Sequence, residues 1–422
     1  MKHIFTHNIY ILVLLAFVAG FTSCNNENSG YIGEDIKLPT GNKYLSGVSV
    51  ERHISKAEII ANLDNYLPEL NIASSPIAAF INKDIDVSVI TYITKGVDGK
   101  SVIASGVVAI PAGVTSYDHL LSIQHGTLDI EEAPSHKLFY YEMIPVIGNH
   151  IVVMADYLGY GVSQTPDRQH PYLHVKSTGI VCADMIEATR EYLHEKGIRE
   201  MNDKIDLIGY SQGGTSTMAT LFEIEARGQS SRIREVHAGG GAYDLVGTMQ
   251  SFINGGMDEY PRIGYIPFII RGISYGEQIT LNDKNIYAPE FIKNGFTVML
   301  ATKPLSEWHV PMGRNIRNVI NSDFFAPPTF NRNIDVLKLI SALNKNSLTN
   351  YNTPATPVNL YHSRLDDFVP YSNAVAANKK WSNSTLIDLT MKGHSAAGIE
   401  FILRYMQLWS LVQDLIKNTQ TN

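Results

Sequence analysis

At residues 209–213 the chain reads Gly-Tyr-Ser-Gln-Gly, a serine with a glycine two places away on either side. A serine hydroxyl attacks a carbonyl only when a base takes its proton, and that base needs an acid to orient it. The glycines bear on this because a side chain two residues from the serine would collide with a sharp turn. Such a turn lifts the hydroxyl clear of a sheet when a strand precedes it and a helix follows. Both are expected here, with "KIDLIGYS" (204–211) as the strand and "TSTMATLFEIEAR" (215–227) as the helix. The helix would aim its first N–H groups at the same spot, which suits a developing oxyanion. A glycine-rich turn that happens to hold a serine is the plainer alternative.

Fourteen histidines compete for the role of base. His394, in "DLTMKGHSAAG" (388–398), falls after the last expected strand and before the last expected helix. The preceding strand ends in "LYHSRLDDFVPY" (360–371), which offers Asp366 and Asp367 as acids. Ser211, one of these aspartates and His394 would then meet at three strand ends. Other groups are weaker candidates. His170 and His174 have the spacing of two metal ligands on a helix, but Pro171 separates them and no His-Glu-x-x-His run exists, so no metal is expected. Asp156 reads as a structural acid that bonds loop amides. Gly239, Gly240 and Gly241 lack the Gly-Lys-Ser/Thr of a phosphate loop, so close packing is expected there. "YIPFIIRG" (265–272) and "FFAPPTF" (324–330) would line an acyl pocket or simply fill a core.

These residues need a frame. "DVSVITYIT" (86–94) and "SVIASGVVAIP" (101–111) flank an Asp-Gly turn and form an expected hairpin. "HLLSIQHGT" (119–127) and "HIVVMADYLGYG" (150–161) are short apolar runs ending in glycine-bearing loops, as in strands buried on both faces. Val181, Met185, Ala188 and Tyr192 share one helical stripe that stops near Gly197. "IREVHAGGGAYDL" (233–245), "TPVNLYHS" (356–363) and "STLIDLT" (384–390) read as further strands, with a helix near 372–380 and a long amphipathic helix from about 397 to 416. Strands alternating with helices predict an α/β fold, a mostly parallel sheet covered by helices on both faces. Residues 246–352 break the alternation. They are rich in Pro, Phe, Tyr and Ile without a convincing strand, and read as a helical cap inserted late in the sheet.

"HSRLDDFVP" (362–370) resembles the α/β-hydrolase segment His-Gly-x-x-Asp-x-x-Val-Pro, with Ser363 where glycine is usual. Aligned on His362 and Val369-Pro370, the resemblance gives the acid's role to Asp366 and leaves Asp367 at a variable position. "ITYITKGVDGKSVIASGVVAIPAG", "MADYLGYG", "HPYL", "GYSQGG", "AGGGAYDL" and "NLYHSRLDDFVPYSNA" together resemble the lipase-A-like secretory lipases of yeasts and bacteria. The similarity runs in order through most of residues 86–418 and fades through 246–352, where such enzymes carry a helical cap. It implies a serine carboxylic-ester hydrolase with a Ser-Asp-His triad, a small-molecule or lipid ester as substrate, and no cofactor. It also implies an oxyanion hole from two backbone amides: Gln212, after the nucleophile, and Thr127, on the loop after "SIQHG". A serine peptidase on the same fold and a non-catalytic envelope binding lipoprotein are the rival readings.

The 422 residues carry a formal net charge of −7, with 44% hydrophobic and 18% charged residues. That composition is globular and gives no footing for nucleic acid. At the start, Lys2 and His3 precede an apolar run over residues 9–21, too short to span a bilayer but fitted to a secretory signal. "FTSC" (21–24) then resembles a bacterial lipoprotein cleavage box with Phe21 where Leu is usual. The expected organisation is a signal peptide over 1–23, a lipid on Cys24, a flexible tether over 24–44, a core over 45–245 and 353–422, and the cap over 246–352. The lipid on Cys24 would anchor the protein to a membrane of the bacterial envelope, the outer membrane first. The second cysteine, Cys182, lies in a helical pattern and reads as a small buried hydrophobe.

Overall fold

The computed structural model describes residues 41–66, 78, 80–139, 141–254, 259–325, 332–410 and 413. The expected signal segment, Cys24 and residues 24–40 of the expected tether lie outside the described residues.

Nine strands form one sheet. In chain order they are β1 (Leu45–Ile54), β2 (Ile85–Lys95), β3 (Ser101–Pro111), β5 (Leu120–Gln124), β6 (Ile151–Ala155), β8 (Ile205–Tyr210), β9 (Ile233–Gly239), β10 (Val358–Ser363) and β11 (Ser384–Leu389). The two-residue strands β4 (Ser116–Tyr117) and β7 (Arg199–Glu200) pair separately. The sheet order is β1-β2-β3-β6-β5-β8-β9-β10-β11. β1, β2, β3 and β6 pair antiparallel, and from β6 to β11 every pairing is parallel.

The central strands β5, β6 and β8 are buried at every position, because helices cover both faces. On one face lie α1 (Val175–Glu195) and α2 (Gln212–Ala226), and the stripe Val181, Met185, Ala188, Tyr192 packs into that core. On the other face lies α7 (His394–Tyr405), whose Phe401, Ile402 and Leu403 join a second core. Cys182 is buried in the first core, where loss of solvation pushes its thiol up to about 12.

Two elements differ from expectation. The edge strand β1 was not expected, since its middle six residues are exposed or half-exposed and carry no inward alternation. Its start is already held, because Lys43, Tyr44 and Leu45 donate their amides to Glu191 on α1. The last helix begins at His394, three residues early, where Asp367 accepts its first amide, and it breaks after Tyr405; residues 414–416 of the expected helix lie outside the described residues. Gln407 there takes a left-handed φ of 59°, which no continuous helix accommodates.

Between β9 and β10 the described chain forms helices joined by turns and loops, with no strand beyond one isolated bridge, Tyr287 with Ile320. Its longer helices are α3 (Leu245–Ile253), α4 (Tyr265–Gly276) and α5 (Ile334–Lys345); α6 (Ser372–Lys380) follows β10. This insertion has an apolar core of its own, which closes onto Tyr172 and Leu173 of the sheet domain. Among the described residues no helix is long and apolar enough to cross a membrane.

Candidate active site

Ser211 stands between β8 and α2 with φ 62° and ψ −125°, a conformation that costs a non-glycine residue on the order of 1–3 kcal/mol. Its amide is tied to the carbonyl of Gly239 at 2.9 Å. The flanking glycines are required by space. A Cβ on Gly209 would lie 2.4 Å from the Gly213 carbonyl oxygen, and one on Gly213 would lie 2.0 Å from that of Gln124. The serine therefore sits on a tight elbow braced from β5 and β9. Gly239 and Gly240 pack against the ring of Tyr210 and Gly241 against Tyr243.

His394 opens α7, and its Nδ1 donates to Asp366 Oδ2 at 2.7 Å. In that tautomer Nε2 keeps its lone pair, and it bonds no protein atom among the described residues. Asp366 has no exposed side-chain surface. Its Oδ1 accepts the amides of Phe368 and Val369, both at 2.9 Å, and Oδ2 lies 3.4 Å from His362 Nε2. Burial alone would raise this carboxyl's pKa, but the hydrogen bonds and charges of His362 and His394 outweigh it and hold the group well below the usual carboxylate range. Asp367 does something else: its Oδ1 accepts the backbone amide of His394 at 2.9 Å.

A cavity of about 250 Å³ brings Ser211 and His394 together with Gly126, Thr127, Glu142 and Phe368. A narrower cavity of about 40 Å³ leads from Ser211 and Gln212 under the insertion, past Phe252 and Ile269. Both residues also line an apolar cavity of about 70 Å³ between α3, α4 and α5, together with Phe324. Phe268 is buried against Tyr172 and Trp308 instead, and the Arg317 guanidinium covers the ring of Phe325.

Gln212 is the first residue of α2, so its amide has no partner within the helix. Thr127 reaches the larger cavity from the loop after β5, and its hydroxyl bonds that of Tyr172 at 2.7 Å. His170 has a place that sequence reasoning missed. Its Nδ1 donates to the Leu158 carbonyl at 2.7 Å, and its Nε2 accepts from the Gln212 side-chain amide at 2.9 Å. Burial pushes it down to about 3, so it is neutral and braces the residue after the serine. His174, the other half of the supposed pair, caps α1 through Ser177 and lies 3.3 Å from Glu277. Asp156 is fully buried and accepts from the Ser135 amide and the Ser105 hydroxyl.

A family model described as secretory lipase matches residues 144–399. A protein of Legionella pneumophila is 21% identical, with 88% of this chain and 98% of that one covered and a TM-score of 0.72. The rice cell wall degrading esterase LipA of Xanthomonas oryzae is 22% identical over 87% of this chain and 97% of its own, with a TM-score of 0.65. Candida antarctica lipase A is 16% identical, covering 82% and 77%, with a TM-score of 0.57. No curated protein sequence matches. At these identities the solved structures speak for the fold alone, and that fold is the α/β-hydrolase fold. The family match spans more than half of the 422 residues, and the chain belongs to the secretory lipases, carboxylic-ester hydrolases with an α/β-hydrolase core.

Proposed function

We propose that Ser211, His394 and Asp366 form the catalytic triad of a serine ester hydrolase. The observation that carries this reading is the strained Ser211 sharing one cavity with a histidine whose far nitrogen is fixed by a buried aspartate. Ser211 Oγ attacks the ester carbonyl while His394 Nε2 takes its proton. The amides of Gln212 and Thr127 donate to the oxyanion. The intermediate collapses, and the leaving alkoxide takes the proton back from Nε2, freeing an alcohol. Water, deprotonated by the same nitrogen, then attacks the acyl-enzyme and releases the acid and Ser211. The alcohol must leave beside His394, so it belongs to the larger cavity. The acyl chain then belongs under the insertion, whose apolar cavity shares Phe252 and Ile269 with the narrow cavity at Ser211. On this reading residues 246–352 are the cap that selects the acyl group. The esterase and lipase among the similar structures accord with an ester substrate.

Ser211→Ala should lower kcat at least about 10³-fold with the fold intact. A fluorophosphonate probe should label the native protein at Ser211, and labelling at another serine would sink the triad.

Membership among secretory lipases supports export. The box at residues 21–24 extends this to cleavage after Ser23 and a lipid on Cys24, with residues 24–44 as the tether. Several acyl chains anchor firmly, at about 0.8 kcal/mol per buried CH₂. Mass spectrometry of the mature N-terminus should show a modified Cys24, and an unmodified cysteine there ends the lipoprotein reading.

A further inference from the structure

Phe368 sits two residues beyond the acid of the proposed triad, on which this inference rests, and the mechanism above gives it no role. Its ring stacks on the imidazole of His394, with centroids 4.8 Å apart and planes 25° from parallel. Tyr210 lies near the imidazole as well, at 5.0 Å and 44°. Asp366 therefore pins one edge of the imidazole, and the rings of Phe368 and Tyr210 lie against it. The second feature is what holds Phe368. Its amide is fixed by Asp366, while its ring and its carbonyl are held from the insertion. The Arg262 guanidinium carbon is 4.8 Å from the ring centroid of Phe368, and the Tyr265 ring meets it edge-on at 6.2 Å. The Tyr260 hydroxyl donates to the Phe368 carbonyl at 3.3 Å. Three residues in and just before the start of α4 thus converge on the phenylalanine that stacks on His394.

We infer that Phe368 is a positioning residue that couples the insertion to the imidazole. It fixes the plane of His394 so that Nε2 stays aimed into the Ser211 cavity, and its π-face stabilises the imidazolium that forms when Ser211 gives up its proton. Arg262 draws on the same ring and opposes that stabilisation, so the insertion sets how readily His394 takes a proton. The charged and titratable groups around the imidazole are Asp366 and Asp367 from the β10–α6 loop, Glu142 in the shared cavity, Tyr210 on β8, and Arg262 and Tyr265 of the insertion; His362 stands behind Asp366. Replacing Phe368 changes none of these groups chemically, so the change removes the ring and its contacts with Arg262 and Tyr265.

The test compares the wild type with Phe368→Leu, Phe368→Tyr, Arg262→Met and the Leu/Met double variant. The readouts are kcat and KM for nitrophenyl butyrate across pH, with active sites counted by fluorophosphonate labelling. Phe368→Leu should lower kcat about 3- to 10-fold with little change in KM, and should move the acid limb of kcat/KM down by about 0.5 pH unit. Phe368→Tyr should restore both. Arg262→Met should move the limb upward by a smaller amount, and should do nothing in the Leu background. A Leu variant that labels fully at Ser211 yet keeps the native kcat and limb overturns the proposal. If Phe368→Leu does not fold, the exposed Arg262→Met decides alone, and an unmoved limb overturns the proposal equally. Absence of labelling at Ser211 in the wild type removes the triad itself, and this coupling with it.

Discussion

At the scale of single residues, adjacent aspartates have been given different work. Asp366 is buried, and its two oxygens hold two loop amides and His394 Nδ1. Asp367 is exposed, and among the described residues it accepts just the amide that begins α7. An asparagine at 366 would offer a donor where the imidazole N–H needs an acceptor, favouring the wrong tautomer. Asp366→Asn should therefore lower kcat by orders of magnitude, toward the ~10⁴-fold known for such a change in a serine protease. Asparagine at 367 still has an oxygen for the His394 amide, so Asp367→Asn should stay within a few-fold of the wild type. Steady-state kinetics of the two variants decide it, and the reverse ranking would move the acid to Asp367. Sequence alone left the pair open, since both residues follow the same strand. The resemblance around Val369-Pro370 chose between them. The His170 brace on Gln212 and the Phe368 stack on His394 were not legible, because each joins residues 42 and 26 positions apart with no motif that marks the contact.

At the scale of elements, legibility followed burial. β5, β6 and β8 are apolar throughout because helices cover both faces, and such runs announce themselves. β1 pairs on one side only and exposes most of its residues, so its sequence carries no period. The insertion read as helical for lack of strand character, but which of its apolar residues line a cavity depends on how α3, α4 and α5 cross. Ile269 and Phe324 line the apolar cavity, whereas Phe268 fills core and Phe325 lies under Arg317. A change in acyl preference is accordingly expected from the first pair. Ile269→Ala removes about three methylene equivalents of contact at roughly 0.8 kcal/mol each. Losses in kcat/KM should grow gradually from acetyl to decanoyl nitrophenyl esters, with acetate little affected. Phe268→Ala should instead cost about 3–5 kcal/mol of stability and leave the shape of the profile alone. Profiles of one shape for Ile269→Ala, Phe324→Ala and wild type would mean that the insertion does not select the acyl chain.

At the scale of the whole molecule, the sheet domain has sealed many of its histidines away from water. His125 is fully buried and pushed down by that burial to about 4, and His170 to about 3. His119, His150 and His237 are lowered from their ordinary value by the same cause. In the unfolded chain each returns to about 6.5. Below that pH the unfolded state binds protons that the folded state refuses, so stability is full above about 6.5 and falls as the pH falls toward 4. Asp366, held low in the fold, adds a loss in the same direction once the pH passes below the ordinary carboxylate range. Asp156, raised by burial, acts in the opposite sense, as does the exposed His53, raised chiefly by its hydrogen bond to Asp86. Each fully buried histidine contributes about 1.4 kcal/mol per pH unit between its two pKa values. His125 and His170 together should therefore remove at least about 2 kcal/mol of unfolding free energy between pH 7 and 5.5. Urea melts at the two pH values measure this directly. His170→Gln keeps a neutral polar side chain at the Leu158 and Gln212 contacts without a titrating ring, and should lessen the pH dependence by about half of that amount. Equal stability at pH 7 and 5.5, or an undiminished slope in His170→Gln, would show that these rings take up protons in the folded state and are not sealed from solvent.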